Sequence, residues 1–215
     1  MWEGITIKKE ILKKIPENIL NKNVINKLED KGVEIIDVLG KGHRGVVLKG
    51  IYNNKEVAIK IPRTDSPKNT ILNEARILKL LEKYNIAPKV YEFDNDYLIM
   101  EFIDGEELKS AVNKLDNDRL LKVVEDILRI TLKLDMLGIE HKEIQGGRHF
   151  LVTDKKTYII DFDKAKEKRT TKNFTGAVAL LFGEGRIAKI IREKLNIGID
   201  EITFIRKFAK TYKKL

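Results

Sequence analysis

Residues 33–60 read VEIIDVLGKGHRGVVLKGIYNNKEVAIK, and the elements flanking the glycines narrow the fold sharply. Gly40-Lys41-Gly42-His43-Arg44-Gly45 is a G-x-G-x-x-G string, a pattern shared by two unrelated nucleotide-binding designs. In a dinucleotide-binding unit the third glycine opens a helix, whose N-terminus receives the pyrophosphate. Here Gly45 leads instead into Val46-Val47-Leu48-Lys49-Gly50-Ile51-Tyr52, a β-rich run. Asn53-Asn54 comes next as a two-residue turn, because Asn tolerates positive φ. Glu56-Val57-Ala58-Ile59-Lys60-Ile61 then returns as a strand. No G-x-x-x-x-G-K-[ST] string occurs, which excludes a P-loop.

Composition removes whole classes of chemistry. The chain has 215 residues, 42% hydrophobic and 35% charged, as expected of a soluble globular protein with a substantial core. Cysteine is absent, so disulfides, thiol catalysis and cysteine-ligated metals are excluded. The three histidines, His43, His141 and His149, are too scattered for a zinc site. No apolar run approaches the ~18 residues of a spanning helix, and Met1-Trp2-Glu3-Gly4 does not open a signal peptide. The expectation is a cytoplasmic protein without a membrane partner. A net charge of +9 reads first as a solvated lysine surface, and second as attraction to RNA or an acidic protein partner. With aromatics at 7%, base-stacking platforms are not expected.

Periodicity supplies the other elements. Residues 1–32 suggest two short helices: Ile7, Ile11 and Ile15 keep helical spacing, Pro16 interrupts, and Ile19 to Leu28 resumes before Gly32. Residues 67–84 carry a helical stripe of Ile71, Leu72, Ala75, Leu78 and Leu81. Glu74 falls on that stripe rather than on the solvated face, so it requires a positive partner. Residues 86–102 predict a hairpin around Asp94-Asn95-Asp96. Residues 117–137 predict a long amphipathic helix through Leu120, Leu121, Val124, Ile127, Leu128, Thr131 and Leu134, ended by Gly138. Three closing helices are expected over 174–182, 186–195 and 199–212.

Strand, glycine loop, strand, tight turn and a strand ending Val57-Ala58-Ile59-Lys60 together resemble the N-lobe of the protein kinases, V-A-I-K letter for letter. The resemblance extends over about residues 33–165 and implies an α+β fold. That fold is a minimal two-lobe kinase-like one: a helical extension over 1–32, a β-rich N-lobe over 33–103 and a truncated helical C-lobe over 104–215. It implies ATP as ligand, with Gly40, Lys41, Gly42 and Gly45 close to its phosphates. Lys60 would grip the phosphates while paired to Glu74. Val47, Ala58 and Phe150 would enclose the adenine. Met100 would be the gatekeeper, the backbones of Glu101 and Ile103 would bond adenine, and Glu107 would contact the ribose. Phe150 reads equally well as an ordinary core residue.

Further on, His141-Lys142-Glu143-Ile144-Gln145-Gly146-Gly147-Arg148 resembles the kinase catalytic loop H-R-D-x-x-x-x-N. Asp161-Phe162-Asp163 resembles D-F-G. Asp161 is then the Mg2+ ligand and His141 a structural support of the loop. Glu143 stands at the catalytic aspartate position with one more methylene. Arg148 stands where the family has a metal-binding asparagine, and a guanidinium cannot coordinate a cation. Either Arg148 supplies charge to the phosphates or the position is structural; His149 serves as ligand only if the loop slips by one residue. Gln145 replaces a lysine and Asp163 replaces a glycine. The stretch after Asp161 is expected to be too short for a regulated activation segment with peptide-binding helices. That compactness resembles the RIO-like and related archaeal kinases.

These features imply an ATP-dependent phosphotransferase, an atypical serine/threonine kinase in which Lys60, Glu143 and Asp161 carry the chemistry and the phosphoacceptor is unknown. The altered loop leaves two alternatives: a catalytically weak nucleotide-binding module for RNA or a protein, and a small-molecule kinase.

Overall fold

Side chains along Gly45–Tyr52 alternate between buried and partly exposed, the period of a strand with one face on a core. The computed structural model describes residues 11, 22–42, 45–63 and 70–212. It divides into two compact units, residues 1–103 and 104–215.

The first unit is built on an antiparallel sheet of β1 (Glu34–Gly42), β2 (Gly45–Tyr52), β3 (Lys55–Pro62), β4 (Val90–Phe93) and β5 (Leu98–Glu101). Their order is β1-β2-β3-β5-β4. Helix α1 (Lys22–Asp30) lays Val24, Ile25 and Leu28 onto the sheet residues Ile35, Val46, Leu48, Val57, Ile59, Ile61 and Ile99. Residues 22–30 therefore belong to the core of this unit. Gly32, at φ 77°, ends the helix, and the Val33 N–H returns to the Leu28 carbonyl at 3.0 Å. Of the first of the two expected N-terminal helices only Ile11 is described, helical and buried in the same core.

Asn53 and Asn54 both have positive φ, 49° and 59°, which makes the β2–β3 connection a primed turn matched to strand twist. Gly42 faces Gly45 across β1 and β2, and their link, His43–Arg44, lies outside the described residues. Helix α2 (Thr70–Leu81) buries Ile71, Glu74, Ala75, Ile77, Leu78 and Leu81 and continues as a 3-10 turn to Tyr84. The expected start of this helix at Pro67 also lies outside the described residues.

The second unit is helical, with short strands that shape one loop cluster. β6 (Glu106–Glu107) pairs with β8 (Phe150–Val152), which pairs with β9 (Thr157–Ile159). β7 (Ile139–Glu140) pairs with β10 (Lys166–Glu167). Around them lie α3 (Leu108–Ala111), α4 (Asn117–Met136), α5 (Asn173–Phe182), α6 (Arg186–Lys194) and α7 (Ile199–Tyr212). Helix α5 packs against α4, α6 and α7. The Asp116 carboxylate caps α4 by accepting the Arg119 N–H at 2.8 Å. The buried face of α4 uses Val123 and Ile130, while Leu121, expected on it, is exposed. No helix among the described residues is long and apolar enough to cross a membrane.

Gly45 is demanded by the fold: a Cβ built there would meet the Ile61 carbonyl oxygen at 2.1 Å. Gly40 is different, because a Cβ there meets nothing within 4 Å. Gly45→Ala is expected to destabilise the protein by about 1–3 kcal/mol through overpacking, read as a lower urea midpoint. Gly40→Ala is expected to leave that midpoint within about 0.5 kcal/mol.

Candidate active site

In the first unit the sheet register decides which side chains meet. Val47 stands opposite Lys60 across β2 and β3, and Ala58 opposite Met100 across β3 and β5. Gly40, Lys41 and Gly42 lie on β1 beside them. The Lys60 ammonium lies 2.7 Å from a Glu74 carboxylate oxygen, with the lysine side chain 12% and the glutamate side chain 1% exposed. Glu74 is on the buried side of α2 because the helix period aligns it with Ile71 and Leu78. Two charges removed from water attract strongly, but they have also forfeited hydration, so such a pair holds geometry better than it stabilises. The Glu101 N–H is committed to the Lys89 carbonyl at 2.8 Å, so that donor is closed to a ligand. Ile103 and Met100 are buried.

In the second unit the loop from Glu140 to His149 is suspended from buried polar groups. His141 has no exposed surface. Its Nε2–H donates to the Ile160 carbonyl at 2.9 Å, and its Nδ1 accepts the Glu143 N–H at 3.3 Å. That pairing fits the neutral imidazole. Burial lowers its pKa to about 4, against the partial support of the Ile160 bond. Asn173 was not singled out by sequence reasoning, yet it is buried and fully bonded. Its Oδ1 accepts the His141 N–H at 2.9 Å, and its Nδ2 donates to the Ile139 carbonyl and the Asp135 carboxylate, each at 2.7 Å. Asp135 also accepts the N–H groups of Asn173 and Phe174, both at 3.0 Å, and so caps α5. A signal for Asp135 exists in the sequence: an acid in the last turn of α4 opposes the helix dipole and needs a reason to be there.

Glu143 is not bonded only within its own loop. Its Oε1 lies 2.6 Å from the Lys164 ammonium. Lys164 was not predicted, because the approach joins loops that are distant in sequence. Arg148 is exposed and shares the lining of a cavity of about 520 Å³ with Lys142, Glu143, His149 and Lys172. Asp161 takes a left-handed backbone, φ 67°, just beyond β9. One carboxylate oxygen of Asp161 lies 3.7 Å from His149 Nδ1, and donor atoms of Glu143, His149 and Asp161 lie within 4.8 Å of one another. These three fit a divalent cation by donor chemistry: two carboxylates and one imidazole converge on one space. Asp163 lies in the turn that follows. Phe150, expected as a candidate adenine-pocket floor or a core residue, is fully buried in β8. Glu107, expected near a ribose, pairs with Lys109 at 3.2 Å.

The protein kinase domain family matches residues 33–180. The chain belongs to the protein kinase family. Among its relatives, the uncharacterized protein MJ1211 of Methanocaldococcus jannaschii is 89% identical over 116 residues, 54% of this chain and the whole of that protein. The KEOPS complex subunit Bud32 of Pyrococcus abyssi is 32% identical over 122 residues, covering 55% of this chain and 53% of Bud32. A probable serine/threonine-protein kinase of Dictyostelium discoideum is 26% identical over 150 residues, 61% of this chain and 30% of that protein. The kinase match thus spans about half of Bud32 and less of the larger enzyme.

Two outcomes are expected. Glu74→Ala should cost about 3–5 kcal/mol, because it removes the carboxylate 2.7 Å from the buried Lys60 ammonium, whereas the double replacement Lys60→Met with Glu74→Leu should recover most of that loss; chemical denaturation checks both. His141 makes stability depend on pH. Its folded pKa lies below the unfolded value, so the unfolded chain binds the proton first. This contribution is complete above the unfolded value of 6.5 and is lost as pH falls toward 4. The loss amounts to about 3 kcal/mol at most. Unfolding free energies measured between about pH 7 and pH 5 should fall in the wild type and flatten in His141→Gln.

Proposed function

We propose that this kinase binds ATP with a divalent cation and transfers its terminal phosphoryl group. The observation that carries this reading is the Lys60–Glu74 pair at 2.7 Å, held on a sheet whose hairpin brings the glycine string alongside. A buried ammonium steadied by a carboxylate is a fixed positive charge for phosphate oxygens. Open space at Gly40 lets a ligand come close to the backbone, and backbone N–H groups there suit an anion.

In the second unit, Asp161 and Glu143 offer oxygens to the cation, which when bound neutralises charge on the phosphates. Glu143 orients the acceptor hydroxyl and receives its proton, while Lys164, 2.6 Å away, holds that carboxylate in position. The buried His141 holds the loop through Ile160 and Glu143 and does not act as the base. Positioning of this kind is the main contribution a protein makes to phosphoryl transfer. A serine or threonine acceptor is the reading supported by the kinase relatives. Bud32 is a subunit of a complex by its name, and the basic surface of this chain, net +9, supports a protein or RNA partner here as well.

A second reading is a nucleotide-binding module with little transfer activity. It is favoured by Arg148 at the asparagine position and by the Lys164 ammonium on Glu143. Incubation with γ-labelled ATP separates the two. Labelled phosphate should be released or transferred by the wild type and fall by about 10²-fold or more in Asp161→Ala. A wild type that binds ATP yet releases and transfers nothing leaves only the module reading.

A further inference from the structure

The residue at the family's asparagine position cannot be a cation ligand, because Arg148 carries a permanent charge and no acceptor. Its neighbour His149 is aimed differently. The β8–β9 register pairs Phe150 with Ile159, and one step further the Ile160 N–H donates to the His149 carbonyl at 2.9 Å. That ladder sets His149 beside the chain that leads into Asp161. The His141 ring packs edge-on against His149, with centroids 5.4 Å apart, and is itself fastened to Ile160. The His149 side chain is 16% exposed, and its Nδ1 looks toward Asp161 at 3.7 Å. Adjacent donors around an octahedral ion lie about 3 Å apart, so a small side-chain rotation brings this pair to ligand spacing. Lys164 lies 2.6 Å from Glu143 Oε1, and a carboxylate oxygen of Glu143 lies within 4.8 Å of the Asp161 and His149 donor atoms.

We propose that His149, with Asp161 and Glu143, forms a nitrogen-containing divalent-cation site, and that this kinase prefers Mn2+ or a later first-row cation to Mg2+. The inference deepens the phosphoryl-transfer reading and rests on it. Its chemistry is simple. Mg2+ is a hard ion that takes oxygen ligands and keeps several waters, so an imidazole adds little to its binding. First-row transition ions accept imidazole, and a mixed set of carboxylates and one nitrogen raises their affinity relative to Mg2+. Replacing an amide oxygen by a nitrogen donor one residue further along the loop therefore changes which cation arrives with the nucleotide.

Pulsed electron paramagnetic resonance of the full chain with Mn2+ and the non-hydrolysable analogue AMP-PNP tests this directly. Phosphorus coupling reports that the ion sits on the nucleotide phosphates. Nitrogen coupling reports the imidazole. The expected result is both couplings in the wild type, loss of the nitrogen coupling with retention of the phosphorus coupling in His149→Ala and His149→Asn, and displacement of Mn2+ by Mg2+ requiring about tenfold more Mg2+ in the wild type than in either variant. Phosphorus coupling without nitrogen coupling in the wild type overturns the His149 site and leaves the phosphotransferase reading standing. Nitrogen coupling that survives in both variants likewise assigns it to another group, such as the adenine, and overturns the site. An absence of any Mn2+·AMP-PNP binding overturns both readings. Where a variant fails to fold, wild-type chain grown with 15N-histidine decides: a 15N coupling at the Mn2+ supports the site, and nitrogen coupling that stays 14N alone overturns it.

Discussion

A lysine and a glutamate buried against each other set the terms for the first unit. Lys60 and Glu74 come from β3 and α2, and each lowers the cost of burying the other's charge. The pair therefore fixes how α2 lies on the sheet. The sheet in turn is fixed by the paired positive-φ asparagines at 53–54, which determine the β2–β3 register and so place Val47 opposite Lys60. Well-packed apolar side chains would bind these elements at least as tightly as an ion pair. That the chain instead keeps a desolvated charge there is the physical reason to look for an anion that the charge serves.

The second unit solves a different problem with the same economy. Its reactive-looking loop has little regular structure of its own. The loop is held by a chain of bonds that runs from Asp135 through Asn173 to His141 and on to Ile160. Asp135 has two tasks here. It caps α5 and anchors Asn173, and the Tyr212 hydroxyl donates to it at 3.2 Å from α7. Burial raises the Tyr212 pKa and the Asp135 charge raises it further, so the phenol stays a donor. Through these groups the position of Glu143 is tied to three helices. A neutral His141 suits this role, because a charged ring would need a counterion in a place closed to water.

Much of this was legible in the residues before any coordinates. The hairpins came from Asn53-Asn54 and Asp94-Asn95-Asp96, and the helices from their apolar stripes, to within a residue or so at most described ends. Glu74 announced its partner because a carboxylate on an apolar stripe needs one. Leu121 was misplaced because adjacent apolar residues at 120 and 121 cannot both face the core of one helix, and only packing chooses between them. Lys164 on Glu143 and Asn173 beneath His141 were not legible in advance, and His149 stood only as an alternative to Arg148. Each joins segments far apart in the chain, and no local pattern encodes that approach.

Local pattern is short-ranged by nature: propensity, periodicity and turn chemistry act over a few residues. That was enough to specify the glycine hairpin, the V-A-I-K strand and the kinase type of fold, since each of these is a local string. Which side chain lies against Asp161 is a matter of a single step of register. The string alone offered Arg148 at the asparagine position and His149 one step later. The β8–β9 ladder brings the second of these into place, because its last bond holds the His149 carbonyl to Ile160 and sets the imidazole 3.7 Å from the carboxylate.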